Sequence, residues 1–436
     1  MRPKLLTAVL LSLLLADAKA YAQGPPPPID TIQVEVNSLL LPVIVRDAHG
    51  NLVDNLRKED FKVLDQGKPR PIAGFTVERA PNTVVTVSTV AGVASESVPT
   101  AASQQPALLA PSAAPSRFIV FLFDDRHFTV SDLEQARQTA TRVFEQPLPP
   151  NDRALILSFH GVNSGVTRDP AVLKSAILKL KADERDHHEA GQCPDLDYYA
   201  SDQILNVHSD VEYKIALEKT ALCSHTGSQA LQDPSTLHTL DTLLRTAATR
   251  TLEIGNQDAH DSLLYIWQVL HSMSSLPGQR TLVLVSSGFL TVDQSAMRLQ
   301  SQIVNLAASI NVTISALDMR GLSSPVMSAS QSGVGSTYAL QTGQNIQSQA
   351  DAQRANTAVM ADLADSAGGV FIHNTNDLEG GFNTLLTAPE CLYLLELPLR
   401  DVRQNGTYHS LKVEVTQPGL KVQARKGYFA PQATKK

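Results

Sequence analysis

Hydrophobic positions along the chain follow two rhythms. Residues 118–123 are apolar without a break, and the run ends abruptly in Asp124-Asp125-Arg126-His127. A strand apolar on both faces is what a parallel sheet buried under helices requires. Similar runs recur at 153–159, 281–289 and 311–318, with a shorter one at 370–373 and an edge strand expected at 162–167. Between them the apolar spacing lengthens to that of a helix. It predicts helices from Ser131 to before Pro147, and over 171–181, 235–275, 297–310, 355–367 and 378–386. Ser131 with Glu134 has the spacing of a capping box, and Gly368-Gly369 gives a stop. This alternation predicts an α/β domain over 117–388, a doubly wound and mostly parallel sheet with helices on both faces.

The flanks carry a strand pattern instead. Residues 32–36 alternate and 41–45 run apolar, punctuated by Asp47-Ala-His-Gly50-Asn51 and Asp65-Gln-Gly67-Lys68-Pro69. Strands are expected again at 392–397, 408–415 and 420–425, with turns at Asn405-Gly406 and Pro418-Gly419. Each β segment, 30–80 and 389–431, is too small to fold alone, so the two are expected to pair into one small β-sandwich with the α/β domain inserted between them. Residues 81–116 have the low complexity of a flexible linker. Residues 183–235 break the α/β rhythm and read as an insertion, with helix-forming sequence over 202–222. The Ser/Gln/Gly-rich span 323–349 reads as a mobile loop. Trp267 lies on an apolar stripe with Leu263, Leu264, Leu270 and Met273, which makes it a core residue.

Composition adds limits. With 43% apolar and 18% charged residues, the chain is ordinary globular protein. A net charge of −7 argues against nucleic acid or an anionic membrane as partner. Arg2 and Lys4, the apolar stretch 5–15 and the small residues at Ala18, Ala20 and Ala22 predict a secretory signal peptide over 1–22. No later stretch is apolar enough to span a bilayer, so the mature protein is expected to be exported, periplasmic or extracellular. That compartment permits a disulfide between Cys193 and Cys223, worth about 3–4 kcal/mol on the chain-entropy account; two free thiols are the alternative. Cys391 opens an apolar run and reads as a buried thiol.

Several motifs in this order resemble the von Willebrand factor A-related proteins of bacteria, particularly a secreted acidobacterial group. They are Val45-x-Asp47-x-x-Gly50-x-x-Val53, Leu56-x-x-x-Asp60-Phe61-x-Val63 with Gly67, Phe121-Leu-Phe-Asp124-Asp125, Leu282-Val-Leu-Val-Ser286-Ser287-Gly288-Phe289 and Ile314-Ser-Ala-Leu-Asp318-x-Arg320-Gly321. Gly368-Gly369 with Asn376-Asp377-Leu378, then Ala424-Arg425-Lys-Gly427-Tyr428, complete the set. The resemblance implies a doubly wound fold and a protein-binding function, often mediated by a divalent cation at the carboxyl ends of the strands. Asp124 fills the first position of the D-x-S-x-S cation motif, but Arg126 and Phe128 stand in place of its serines, and Ser286-Ser287-Gly288 replaces T-D-G.

The sequence therefore nominates Asp124, Asp125, Arg126, His127, Ser286, Ser287 and Asp318 as a partner-binding surface, with Asp124 and Asp125 as the ligands of any Mg²⁺ or Mn²⁺. Arg126 brings a fixed positive charge, and pairing of Asp124 or Asp125 with Arg126, or with backbone N–H groups, is the simpler expectation. The run Asp183-Glu-Arg-Asp-His187-His188-Glu189 reads as a solvated charge cluster. No G-x-S-x-G elbow, P-loop, H-E-x-x-H or C-x-x-C is present, and Ser287 with Asp318 and a distant His makes a poor triad. The reading is a non-enzymatic exported protein that binds another protein, as an adhesin or scaffold would. The alternative is an envelope structural or assembly component acting through its β-sandwich.

Overall fold

The computed structural model describes residues 38–48, 51–79, 117–182, 193–227, 231–322, 336–387, 391–403, 405 and 407–430. The expected signal peptide, the strand at 32–36, the linker at 81–116 and the His187-His188 cluster lie outside the described residues.

The described residues open with four strands, β1 (Ser38–Arg46), β2 (Phe61–Asp65), β3 (Lys68–Arg70) and β4 (Gly74–Arg79). It then alternates through β5 (Arg117–Phe123), α1 (Val130–Val143), β6 (Asp152–Ser158) and α2 (Pro170–Ile177). The insertion contributes α3 (Tyr198–Asp202) and α4 (Asp210–Cys223), followed by α5 (Pro234–Met273). The alternation resumes with β7 (Gln279–Ser286), α6 (Gln294–Ser309), β8 (Val312–Asp318), α7 (Ser336–Ala367), β9 (Phe371–Ile372) and α8 (Leu378–Leu386). It closes with β10 (Cys391–Pro398), β11 (Tyr408–Val415), β12 (Lys421–Ala424) and β13 (Gly427–Phe429).

Five strands form a parallel sheet in the order β6-β5-β7-β8-β9. All seven residues of β5 are buried, because helices cover both faces. Ile119, Phe121 and Phe123 pack with α1, α2 and α8, while Val120 and Leu122 pack with α5, α6 and α7. Each such side chain, fully withdrawn from water, contributes about 1.5–3 kcal/mol. The residues 162–167 bridge to β6 antiparallel at Asn163 and Thr167, as the edge expectation required. Trp267 packs against the core beneath β7.

Two helices differ from the pattern read in the sequence. Helix α1 starts one residue early, because Thr129 and not Ser131 is the cap: Asp132 N–H donates to Thr129 Oγ1 at 3.1 Å and Thr129 N–H to Asp132 Oδ2 at 3.2 Å. Glu134 binds Gln138 instead. Helix α7 begins at Ser336, inside the span expected to be a loop. Residues 343–354 are half-buried or exposed, so no apolar stripe marks that half of the helix.

The remaining strands form two antiparallel sheets, β12-β1-β10-β4 and β13-β11-β2-β3. Both mix strands from the two ends of the chain, and they share one core that includes Leu41, Val43, Tyr393 and Leu395 from the first and Phe61, Val63 and Leu411 from the second. Tyr393 OH donates to Val53 O at 2.8 Å and accepts from Leu56 N–H at 3.1 Å, which fixes the β1–β2 connection.

Between β12 and β13, Arg425 is 1% exposed beside Gly368, and its three guanidinium nitrogens have no hydrogen-bond partner among the described residues. Burial pushes its pKa down to about 10. A buried charge without a partner is a standing cost. Replacing it with an apolar chain of similar reach, Arg425→Met, is expected to stabilise the fold by about 1–3 kcal/mol in denaturant unfolding.

Candidate functional site

The strand order reverses chain direction between β5 and β7, and ligand sites of open α/β sheets lie beyond the carboxyl ends of the strands at such a switch point. Asp124 follows β5 there and Ser286 ends β7 beside it. Asp124 N–H donates to Val285 O at 2.8 Å, and Ser286 Oγ donates to Asp124 Oδ2 at 2.6 Å. The Ser286 hydroxyl also accepts from Gly288 N–H at 2.8 Å, which folds the turn after β7 back onto the strand end.

His127, three residues on, turns its ring toward the same carboxylate. Nδ1 lies 2.8 Å from Asp124 Oδ1 and 2.9 Å from Oδ2, and Nε2 lies 3.1 Å from Asp258 Oδ2 on α5. The ring stacks on Phe289 with centroids 5.2 Å apart. Burial acts to lower the His127 pKa, but the carboxylates of Asp124 and Asp258 outweigh it and push it up to about 10.

Arg126 does not pair with Asp124 or Asp125. Its Nη1 donates to Asp258 Oδ1 at 2.9 Å and lies 4.0 Å from Asp261. Helix α5 explains this. Its 40 residues span ~60 Å, against ~27 Å for the eight-residue β7, so its N-terminal part runs past the carboxyl edge of the sheet. That overhang packs on α4 through Leu217, Ala221, Leu240 and Leu244, and Cys193 is disulfide-bonded to Cys223 at the end of α4. It also places Asp258 and Asp261 over Arg126.

Asp125 faces the other way. Its Oδ1 accepts from His160 N–H at 3.1 Å and lies 3.2 Å from His160 Nδ1, while Oδ2 has no hydrogen-bond partner among the described residues. Burial raises its pKa against the hydrogen bonds from Ser158 and His160. Ser287 Oγ donates to Asp132 Oδ2 at 2.8 Å, and Asp318 is gripped by Arg320 through Nε at 3.0 Å and Nη2 at 2.9 Å. The Ser287–Asp318–His grouping is thus not assembled, since the serine donates to a different carboxylate and the aspartate is held by an arginine.

The structure brings the seven nominated residues to one edge of the sheet but buries five of them. Asp124, Asp125 and Ser286 are 0% exposed, Ser287 7% and Asp318 5%. They are held beneath the surface in separate pairings, Asp124 with Ser286 and His127, Asp125 with His160, Ser287 with Asp132 and Asp318 with Arg320. Helix α7 packs over the turn after β7: a Cβ on Gly288 would lie 2.6 Å from Asn356 O, so only glycine lets the helix backbone approach. Sequence reasoning missed Asp132, Asp258, His160 and Arg320. Asp132 was readable as the third helical residue after Thr129; Asp258 was not, since 131 residues separate it from His127.

No protein-family profile and no curated protein matches the chain. Among solved structures it is similar to proximal thread matrix protein 1 from the mussel byssus at 10% identity, over 64% of this chain and 47% of that chain, with a TM-score of 0.27. The alignment spans less than half of that protein, and a likeness this loose carries no argument.

Two measurements check the network. Asp124→Ala leaves His127 facing only Asp258 and is expected to cost about 3–5 kcal/mol, the usual loss when a buried ion pair is broken. The raised His127 pKa stabilises the fold fully below its ordinary value of 6.5, and that stabilisation is lost as pH rises through about 10. Unfolding free energy should therefore fall by up to ~1.4 kcal/mol per pH unit over that window, and His127→Gln should flatten the slope.

Proposed function

We propose that this chain is an exported, non-enzymatic binding protein whose α/β domain, of the von Willebrand factor A type, meets a protein partner at the carboxyl edge of the parallel sheet. The observation that carries the reading is a pair of exposed aliphatic residues on that edge. Val130 at the start of α1 is 79% exposed and Leu322 after β8 is 55% exposed. They flank the closed network, and the loops that bear them approach each other: a Cβ on Gly321 would lie 3.9 Å from Gln135 Nε2 on α1. On the same edge Arg126 and His127 keep 21% and 13% of their side chains in solvent. Apolar groups beside partly buried charges are the composition of a protein contact.

Burial of Asp124, Asp125, Ser286, Ser287 and Asp318 favours a second reading, an assembly role through the antiparallel sheets with the strand-end centre purely structural. Leu40 and Tyr408, 41% and 40% exposed, would then mark the contact.

One experiment separates the two. Val130→Asp with Leu322→Asp should weaken cross-linking to an envelope partner at least ~10-fold while leaving thermal unfolding unchanged, because truncating an exposed anchor costs binding and not folding. Unchanged cross-linking, with loss on Leu40→Asp and Tyr408→Glu, would transfer the function to the antiparallel sheets.

A further inference from the structure

The resemblance read in the sequence would set a divalent cation against Asp124, and the donors at that position do not fit one. A hard cation such as Mg²⁺ needs near-octahedral oxygen ligands. Both oxygens of Asp124 instead face a single ring nitrogen of His127, and Oδ2 also receives the Ser286 hydroxyl. The next side chain, Arg126, is itself cationic and is held by Asp258.

We propose that this centre takes no divalent cation, because the His127 ring fills the position beside Asp124 where the resembled motif would set one. Each ring nitrogen faces a carboxylate oxygen, Nδ1 on Asp124 and Nε2 on Asp258. The ring covers both oxygens of Asp124, which is itself 0% exposed, and is held in place by its stack on Phe289. An aspartate already engaged by a ring nitrogen and a serine hydroxyl has no free oxygen to offer a hard cation that needs several.

The substitution has a consequence for recognition at this face. A metal ion can keep an open position for a partner's carboxylate, whereas the His127 ring has two nitrogens and both are engaged here. The ring joins the end of β5 to the middle of α5 and leaves no ligand-exchange position. A partner at the rim must then be held by side-chain contacts alone. The inference concerns the centre itself and stands whether or not Val130 and Leu322 prove to be the contact.

The intact protein supplies the first test. In thermal unfolding, ~5 mM Mg²⁺, Mn²⁺ or Ca²⁺, or a chelator, should shift the midpoint by less than about 1 °C, since a species that does not bind the native state cannot stabilise it. A rise of several degrees that Asp124→Ala abolishes would refute it. His127→Gly should unfold several degrees lower, and added imidazole should restore part of that loss where sodium chloride of equal ionic strength does not. Rescue by a divalent cation in place of imidazole in wild type and variant alike would also overturn the idea.

Discussion

A carboxylate that ends a fully buried strand has to be neutralised inside the protein, and much of this architecture follows from how Asp124 meets that requirement. The strand itself could not be more apolar, with helices on both faces and neighbours β6 and β7 in register along its length. Water is therefore excluded up to the last residue before Asp124. The charge is met by His127 from the same turn and by the Ser286 hydroxyl from the adjacent strand, so the compensation is both local and across the sheet. Once His127 is held there, its outer nitrogen draws in Asp258, and with it the long helix α5.

The same logic separates what could be read in the sequence from what could not. Unbroken apolar runs announced β5, β6, β7 and β8 because burial on both faces leaves no polar position to confuse the pattern. The pairing of the chain's two ends into antiparallel sheets followed from their size, since neither segment could bury enough surface alone. The place of the strand-end centre was legible too, because the change from Phe123 to Asp124 is abrupt. Its wiring was not. Arg126 was expected on its neighbouring aspartates, yet it turns to Asp258 and Asp261, which arrive only because α5 overruns the sheet. The N-terminal half of α7 was equally hidden, since residues 343–354, half-buried or exposed, have no stripe to display.

The antiparallel sheets are not an appendage. β1 pairs with β10 and β12 while β2 pairs with β11, so each sheet combines strands from before and after the α/β domain, and in the first they alternate. Lys426, between β12 and β13, donates its backbone N–H to Asp365 O on α7 at 3.3 Å and pairs through its side chain with the same residue. The two regions therefore meet where α7 ends and β9 begins, with Arg425 enclosed at the join.

Helix α5 belongs to two cores at once. From Ala259 to Met273 its buried side chains pack against the parallel sheet, while Leu240, Leu244 and Ala248 are buried in the core of the insertion. Asp258 stands at the boundary, one residue before the first side chain committed to the sheet. The carboxylate that holds both Arg126 and His127 is therefore carried on the turn where the helix passes from one core to the other, so the strand-end centre is tied to the seating of both.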